Sequence, residues 1–141
     1  MNPTAQLLHA PVAALANDGA EASRVAAAVL VSWRAIDAAL APIVGRGGLS
    51  ALYRRSVKLA QTEHPWLPEP PLGEGPDPFT DLHVALSDRP PADSAAAHRS
   101  MLQSFCDVLD TLIGASLTKR ILLPVQEAPP SSGVAAGKTS S

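Results

Sequence analysis

The stretch VGRGGLSALYRR, residues 44–55, gathers three glycines and three arginines around the start of a helical pattern, a composition that phosphate cradles share. A nucleotide-binding loop of that kind needs a strand before the glycines and, at their end, a lysine followed by serine or threonine. Here the preceding segment has the periodicity of a helix, and no lysine closes the glycine run. The dinucleotide fingerprint fails for the same reason, because it too begins on a strand. What the glycines do supply is a turn. Gly45 can end a helix in the left-handed conformation, and Gly47 and Gly48 let the chain turn tightly into the next one. Arg46, beside the start of that next helix, leaves anion binding as a residual chemistry. Arg54, Arg55 and Lys58 then form a basic patch, which reads as a solvated face or as a docking surface for an acidic partner.

The sharpest candidate for chemistry is His98, in AAAHRSMLQSF. This setting resembles the phospho-accepting histidine of the histidine phosphotransfer family, which sits on a helix of a small four-helix bundle. That resemblance implies an exposed imidazole that takes a phosphoryl group. The family places a lysine and a small residue soon after the histidine, whereas Arg99, Ser100, Met101 and Leu102 follow here. His98 also falls in line with Leu102 and Phe105, which makes it a packed histidine at the end of an apolar stripe. His9, His64, His83 and His98 are scattered, and none forms a two-ligand pair at helical spacing, so no metal site is expected. Cys106 lies between Phe105 and Asp107 in an apolar helix, where a thiol is inert packing. No GxSxG motif accompanies the serines.

Composition bounds the rest. The 141 residues suffice for one domain with a hydrophobic core. Much of the 46% hydrophobic fraction is alanine and only 4% of residues are aromatic, so the core must rest on closely approaching helices. A formal charge of −2 gives no field for holding nucleic acid or an anionic membrane. A single cysteine excludes an internal disulfide. The first residues lack the basic start of a signal peptide, and the apolar run VAAAVLVSW is shorter than the ~20 residues that span a bilayer. The wealth of Ala, Gly and Pro, with Arg outnumbering Lys, points to a GC-rich bacterial genome.

The elements follow from periodicity. Val25, Val29, Trp33, Ile36, Leu40 and Ile43 recur at steps of three and four, which predicts a helix from about Glu21 to Val44. A second helix fits Leu49–Thr62, with Leu52, Tyr53, Ser56, Leu59 and Ala60 inward. Pro65 stops it. Residues 68–78 read as a Pro/Gly-rich loop, and a short helix follows from Pro78 to Ser87. One long helix is expected from about Ala92 to Leu122, on the stripe His98, Met101, Leu102, Phe105, Leu109, Leu112, Ile113 and Leu117, with Gly114 forcing a bend or a close approach. Residues 1–20 are expected to be weakly ordered, with at most a weak helix, and 125–141 to be a disordered tail.

The fold expected is therefore all-α: one domain over residues 1–124, a small antiparallel bundle of four to five helices. The function expected is a non-enzymatic protein–protein interaction module, an adaptor or regulator in a bacterial cytoplasmic pathway. Its partner would be another protein or a second copy of the chain, with no cofactor, nucleic acid or membrane insertion. Leu30 and Val31, beside the main stripe, supply apolar surface in excess of what one bundle buries. The alternatives are a phosphotransfer domain using His98 and a small-ligand binder using the space near Trp33 and Trp66.

Overall fold

A computed structural model describes residues 2–68 and 79–127, the last three by their backbone alone. Among them are five helices and no strand: α1 (Pro3–Asn17), α2 (Ala22–Ala60), α3 (Phe79–Ser87), α4 (Pro91–Ile113) and α5 (Ala115–Glu127). The chain is an all-α bundle in which α4 packs against α1, α2 and α5, while α3 packs on α2. Apart from Pro68, the expected loop lies outside the described residues, as do residues 128–141 of the expected tail. Residues 125–127 continue α5, which carries Pro124 inside it.

The N-terminal segment, expected to be weakly ordered, forms a full helix. Asn2 is the N-cap. Its side-chain oxygen accepts from the backbone N–H groups of Thr4 and Ala5, and Pro3 occupies the first turn, where a missing N–H costs nothing. The Asn2 amide also donates to Asp107 at 3.0 Å and Asp110 at 2.9 Å on α4. Pro11 sits mid-helix on the exposed side and is tolerated there, while Ala5, Leu8 and Val12 fill the core. With Asn2 against the C-terminal half of α4, and Ala13 and Ala16 beside Ala92 and Ala95, α1 runs antiparallel to α4.

The glycine stretch makes a corner of one residue. Gly45 alone leaves helical geometry, at φ 77° and ψ 162°, a region essentially restricted to glycine. Gly47 and Gly48, expected to shape the turn, are helical instead, so the second limb of α2 begins directly after Gly45. The limbs, 22–44 and 46–60, fold back on each other: Trp33 and Tyr53 meet edge-to-face with ring centroids 5.3 Å apart. Tyr53 in turn stacks edge-on against Phe79 of α3, at 5.2 Å. Ser56 is buried in the second limb and satisfies its hydroxyl by donating to the Leu52 carbonyl.

Gly114, at φ 92° and ψ 144°, divides the expected last helix into α4 and α5. A Cβ there would meet nothing within 4 Å, so it marks a break and no close approach of a neighbour. The break resets the helical phase. Leu112 is 62% exposed and Leu117 is exposed as well, whereas Thr118 and Leu122 turn inward. Thr118 donates to the Gly114 carbonyl, which secures the first turn of α5. At the other end of α4, the Ser94 hydroxyl donates to the Leu86 carbonyl and ties α3 to α4.

Gly45→Ala is expected to destabilise the fold by about 1–3 kcal/mol through backbone strain. Crowding contributes nothing, because open space surrounds a Cβ at this site. Urea midpoints would measure the loss. A loss below about 0.5 kcal/mol would mean that the corner relaxes into ordinary helix.

Candidate functional site

The first limb of α2 is apolar on its buried face and carries alanine, valine and proline alongside two arginines on its exposed one. Val25, Ala26, Val29, Trp33, Ile36 and Leu40 form the buried face, packed with α4 and the second limb. The opposite, exposed seam runs Arg24, Ala27, Val31, Arg34, Ala38 and Pro42, at helical steps of three and four. Val31 is 46% exposed, and Ile43 beside the seam is 50% exposed, against its expected place in the core. Ile43 lies in the last turn before the Gly45 corner, where the core falls away from the helix. By length and composition α2 could cross a membrane, and only 28% of an 18-residue apolar stretch within it is buried.

The basic residues do not converge into one patch. Arg54, Arg55 and Lys58 lie within an arc of about 100° on the second limb. Arg54 is partly buried there, and Arg55 and Lys58 are exposed. Arg46 is exposed at the corner, roughly half a turn around the helix from Arg55.

His98 is wholly inside the bundle, at 0% exposure. Its ring lies 5.8 Å from that of His9 and 6.1 Å from that of Trp33, and neither ring nitrogen has a hydrogen-bond partner in the protein. Burial, assisted by the nearby His9, pulls its pKa down to about 3, so the ring is neutral. His9 is lowered too, first by burial and then by the charge of Arg99. Trp33 Nε1 and His9 Nδ1 are likewise buried without a partner. A nucleophilic nitrogen at position 98 therefore has no approach from solvent.

Beside His9 an open cleft of about 270 Å³ separates α1 from α4, lined by Ala13, Ala16, Ala92, Ala95 and Arg99 among others. Neither tryptophan forms its wall. Trp33 is closed in by Tyr53, His98 and Phe105. Trp66 sits elsewhere, edge-on to His64 and with the Arg89 guanidinium 4.6 Å from its ring centroid. This cleft lies on the α1–α4 side, away from the helix space near Trp33 and Trp66 that was expected to take a ligand.

Ser100, His64 and Glu63 form a cluster that no spacing within one helix announces. Ser100 Oγ lies 3.4 Å from His64 Nε2 and donates to Glu63 Oε1 at 3.2 Å. An activated serine needs the histidine nitrogen to take its proton and a carboxylate on the far side of the ring. Here Glu63 stands 4.0 Å from the same Nε2 and itself accepts the hydrogen bond of the serine hydroxyl. The cluster ties the end of α2 to α4, and 36 residues of separation hide it from any spacing rule. Cys106 is buried, and desolvation followed by Asp110 and Asp107 pushes its thiol up to about 12, the state of inert packing. Among the described residues no three His, Cys, Asp or Glu side chains gather as a metal would require. Comparison with protein-family models, curated proteins and solved structures gives no match to this chain.

Proposed function

We propose that the chain is a non-enzymatic helical interaction module, an adaptor or regulator in a bacterial cytoplasmic pathway, that docks through the exposed face of the first α2 limb. The observation that carries this reading is the exposed apolar surface of that limb, where Val31 and Ile43 are 46% and 50% exposed beside exposed Ala27, Ala38 and Pro42. Isolated exposed leucines or valines are ordinary, but small and apolar residues grouped on one exposed helix face, interspersed with Arg24 and Arg34, suit an interaction surface. A bilayer is a poorer occupant. The limb would have to leave the bundle and strip its buried face from α4, carrying Arg34 and Asp37 into hydrocarbon at about 2.5–3.5 kcal/mol each. A photoreactive side chain placed at position 31 in living cells should cross-link to protein. Lipid adducts alone, or none, would sink the reading.

A small-ligand binder, the second reading, would have to use the open α1–α4 cleft, where Arg99 is the one cation among the lining residues. The phosphotransfer reading finds no support, because the ring it needs is enclosed. Small phosphodonors and phosphorylated receiver domains should leave wild type and His98→Gln equally unlabelled. Acid-labile label on wild type alone would reverse that assignment.

A further inference from the structure

We infer that His9 and His98 are the ligands of a site for a soft monovalent cation, copper(I), between α1 and α4; this site is independent of the docking face. Polar atoms inside a fold are nearly always paired, so a buried side chain without a partner calls for one. His98 is 0% exposed, and both of its ring nitrogens are unpartnered. His9 Nδ1 is buried and unpartnered as well, so that edge of its ring faces protein. The separation of the rings suits a shared ion. With metal–nitrogen bonds of about 2.0 Å, two imidazoles on one ion have centroids roughly 5.5 Å apart at a trigonal angle and roughly 6.3 Å apart at a linear one. The His9 and His98 centroids are 5.8 Å apart, with planes tilted by 47°. The donors select the ion. Among the described residues no third His, Cys, Asp or Glu joins the pair, whereas zinc in proteins takes at least three such ligands. Copper(I) is satisfied by two or three soft, neutral donors, and Met101, buried one turn after His98 on the same face of α4, adds a thioether. The apolar interior and the nearby charge of Arg99 both penalise a doubly charged ion more than a singly charged one. His9 also lines the open cleft, which brings solvent to its ring. A swing of this half-buried ring admits a bare ion, and is too small a step to admit a phosphoryl donor.

Copper(I) held by a coloured competing chelator, under reducing and oxygen-free conditions, is the probe. One equivalent should pass to the wild-type chain and shift the imidazole NMR signals of His9 and His98, leaving those of His64 and His83 in place. His98→Leu fills the buried position with an apolar side chain, and His9→Gln alters a half-buried one, so both chains should still fold. Each should weaken copper(I) binding at least about tenfold, a loss that even supporting groups around a metal can cause. Copper(I) should raise the melting temperature of wild type, because it binds the folded chain, and leave that of His98→Leu unchanged. Cys106→Ala should bind as wild type does, since its thiol is buried about two turns further along α4. A wild type that takes up no copper(I) would overturn the inference, as would histidine variants that keep its affinity. So would signals that shift at His64 or His83 instead, or binding that disappears with Cys106→Ala. Zinc(II) held as tightly by the same pair would overturn the choice of a monovalent ion.

Discussion

Lowering the pH from 6.5 toward about 3 is expected to destabilise the bundle steeply, with His98 as a main cause. In the unfolded chain its imidazole takes a proton near 6.5, whereas in the fold it resists protonation until about 3. Between those limits the unfolded state binds the extra proton. The stability His98 contributes is therefore fully present above 6.5 and is lost as the pH falls through the window. One pKa unit is worth about 1.4 kcal/mol, so the loss approaches about 5 kcal/mol, comparable to the whole stability of many domains. His9, lowered for the same reason and facing His98 from α1, acts in the same direction. Arg99 adds a fixed positive charge against His9. His98→Leu removes the titration and two nitrogens that lack protein partners. Chemical denaturation across pH should show the variant as stable as wild type or more so at pH 8, and markedly more stable by pH 5. Most carboxylates are still ionised there, so the difference between the two chains reports the imidazole. Parallel stability curves for the two would show that His98 reaches solvent or a proton donor in the fold.

Where helical phase runs uninterrupted, the sequence is a sufficient guide to the core. Val25, Val29, Trp33, Ile36 and Leu40, and on α4 His98, Met101, Leu102, Phe105 and Leu109, are buried as their spacing requires. The misplacements cluster at backbone breaks. Ile43 lies against the Gly45 corner, and Leu112 and Leu117 flank Gly114; periodicity carried through a glycine assumes a phase that the glycine resets. Leu59 fails differently. It sits at the edge of the inward arc of its limb, where the position of neighbouring helices decides, and the opposite edge, Val57, is buried instead. The Asn-Pro start of α1 was a readable cap, obscured by Pro11 further along. The candidate site was legible only in part. Val31 stood out as surplus apolar surface, but an outward seam of alanines looks like ordinary helix until its exposure is known. The histidine pair His9–His98 joins elements 89 residues apart, and no pattern within either helix announces it.

Trp33→Ala should be among the most damaging single truncations, at about 3–5 kcal/mol. Trp33 is 1% exposed and meets three rings edge-on: Tyr53 at 5.3 Å, Phe105 at 5.1 Å and His98 at 6.1 Å. These contacts join the two limbs of α2 to each other and to α4, and through Tyr53 they reach Phe79 on α3. With so few aromatic residues in the chain, the surrounding alanines and valines cannot swing in to refill the space, so the cavity term adds to the lost burial. Trp33→Phe should cost clearly less, because it keeps an aromatic ring and removes an indole N–H that is buried without a partner. Leu109→Ala should fall at about 2–5 kcal/mol, since it empties a fully buried position on α4 without breaking a contact between three elements. Arg55→Ala, on the exposed face of the second limb, should stay within about 0.5 kcal/mol. Urea midpoints at constant slope would rank the four variants. If Trp33→Ala fell no further than Arg55→Ala, the ring cluster would not be what holds the α2 corner closed. The fold-back at Gly45 would then have to come from its backbone geometry, and Gly45→Ala would become the more damaging change.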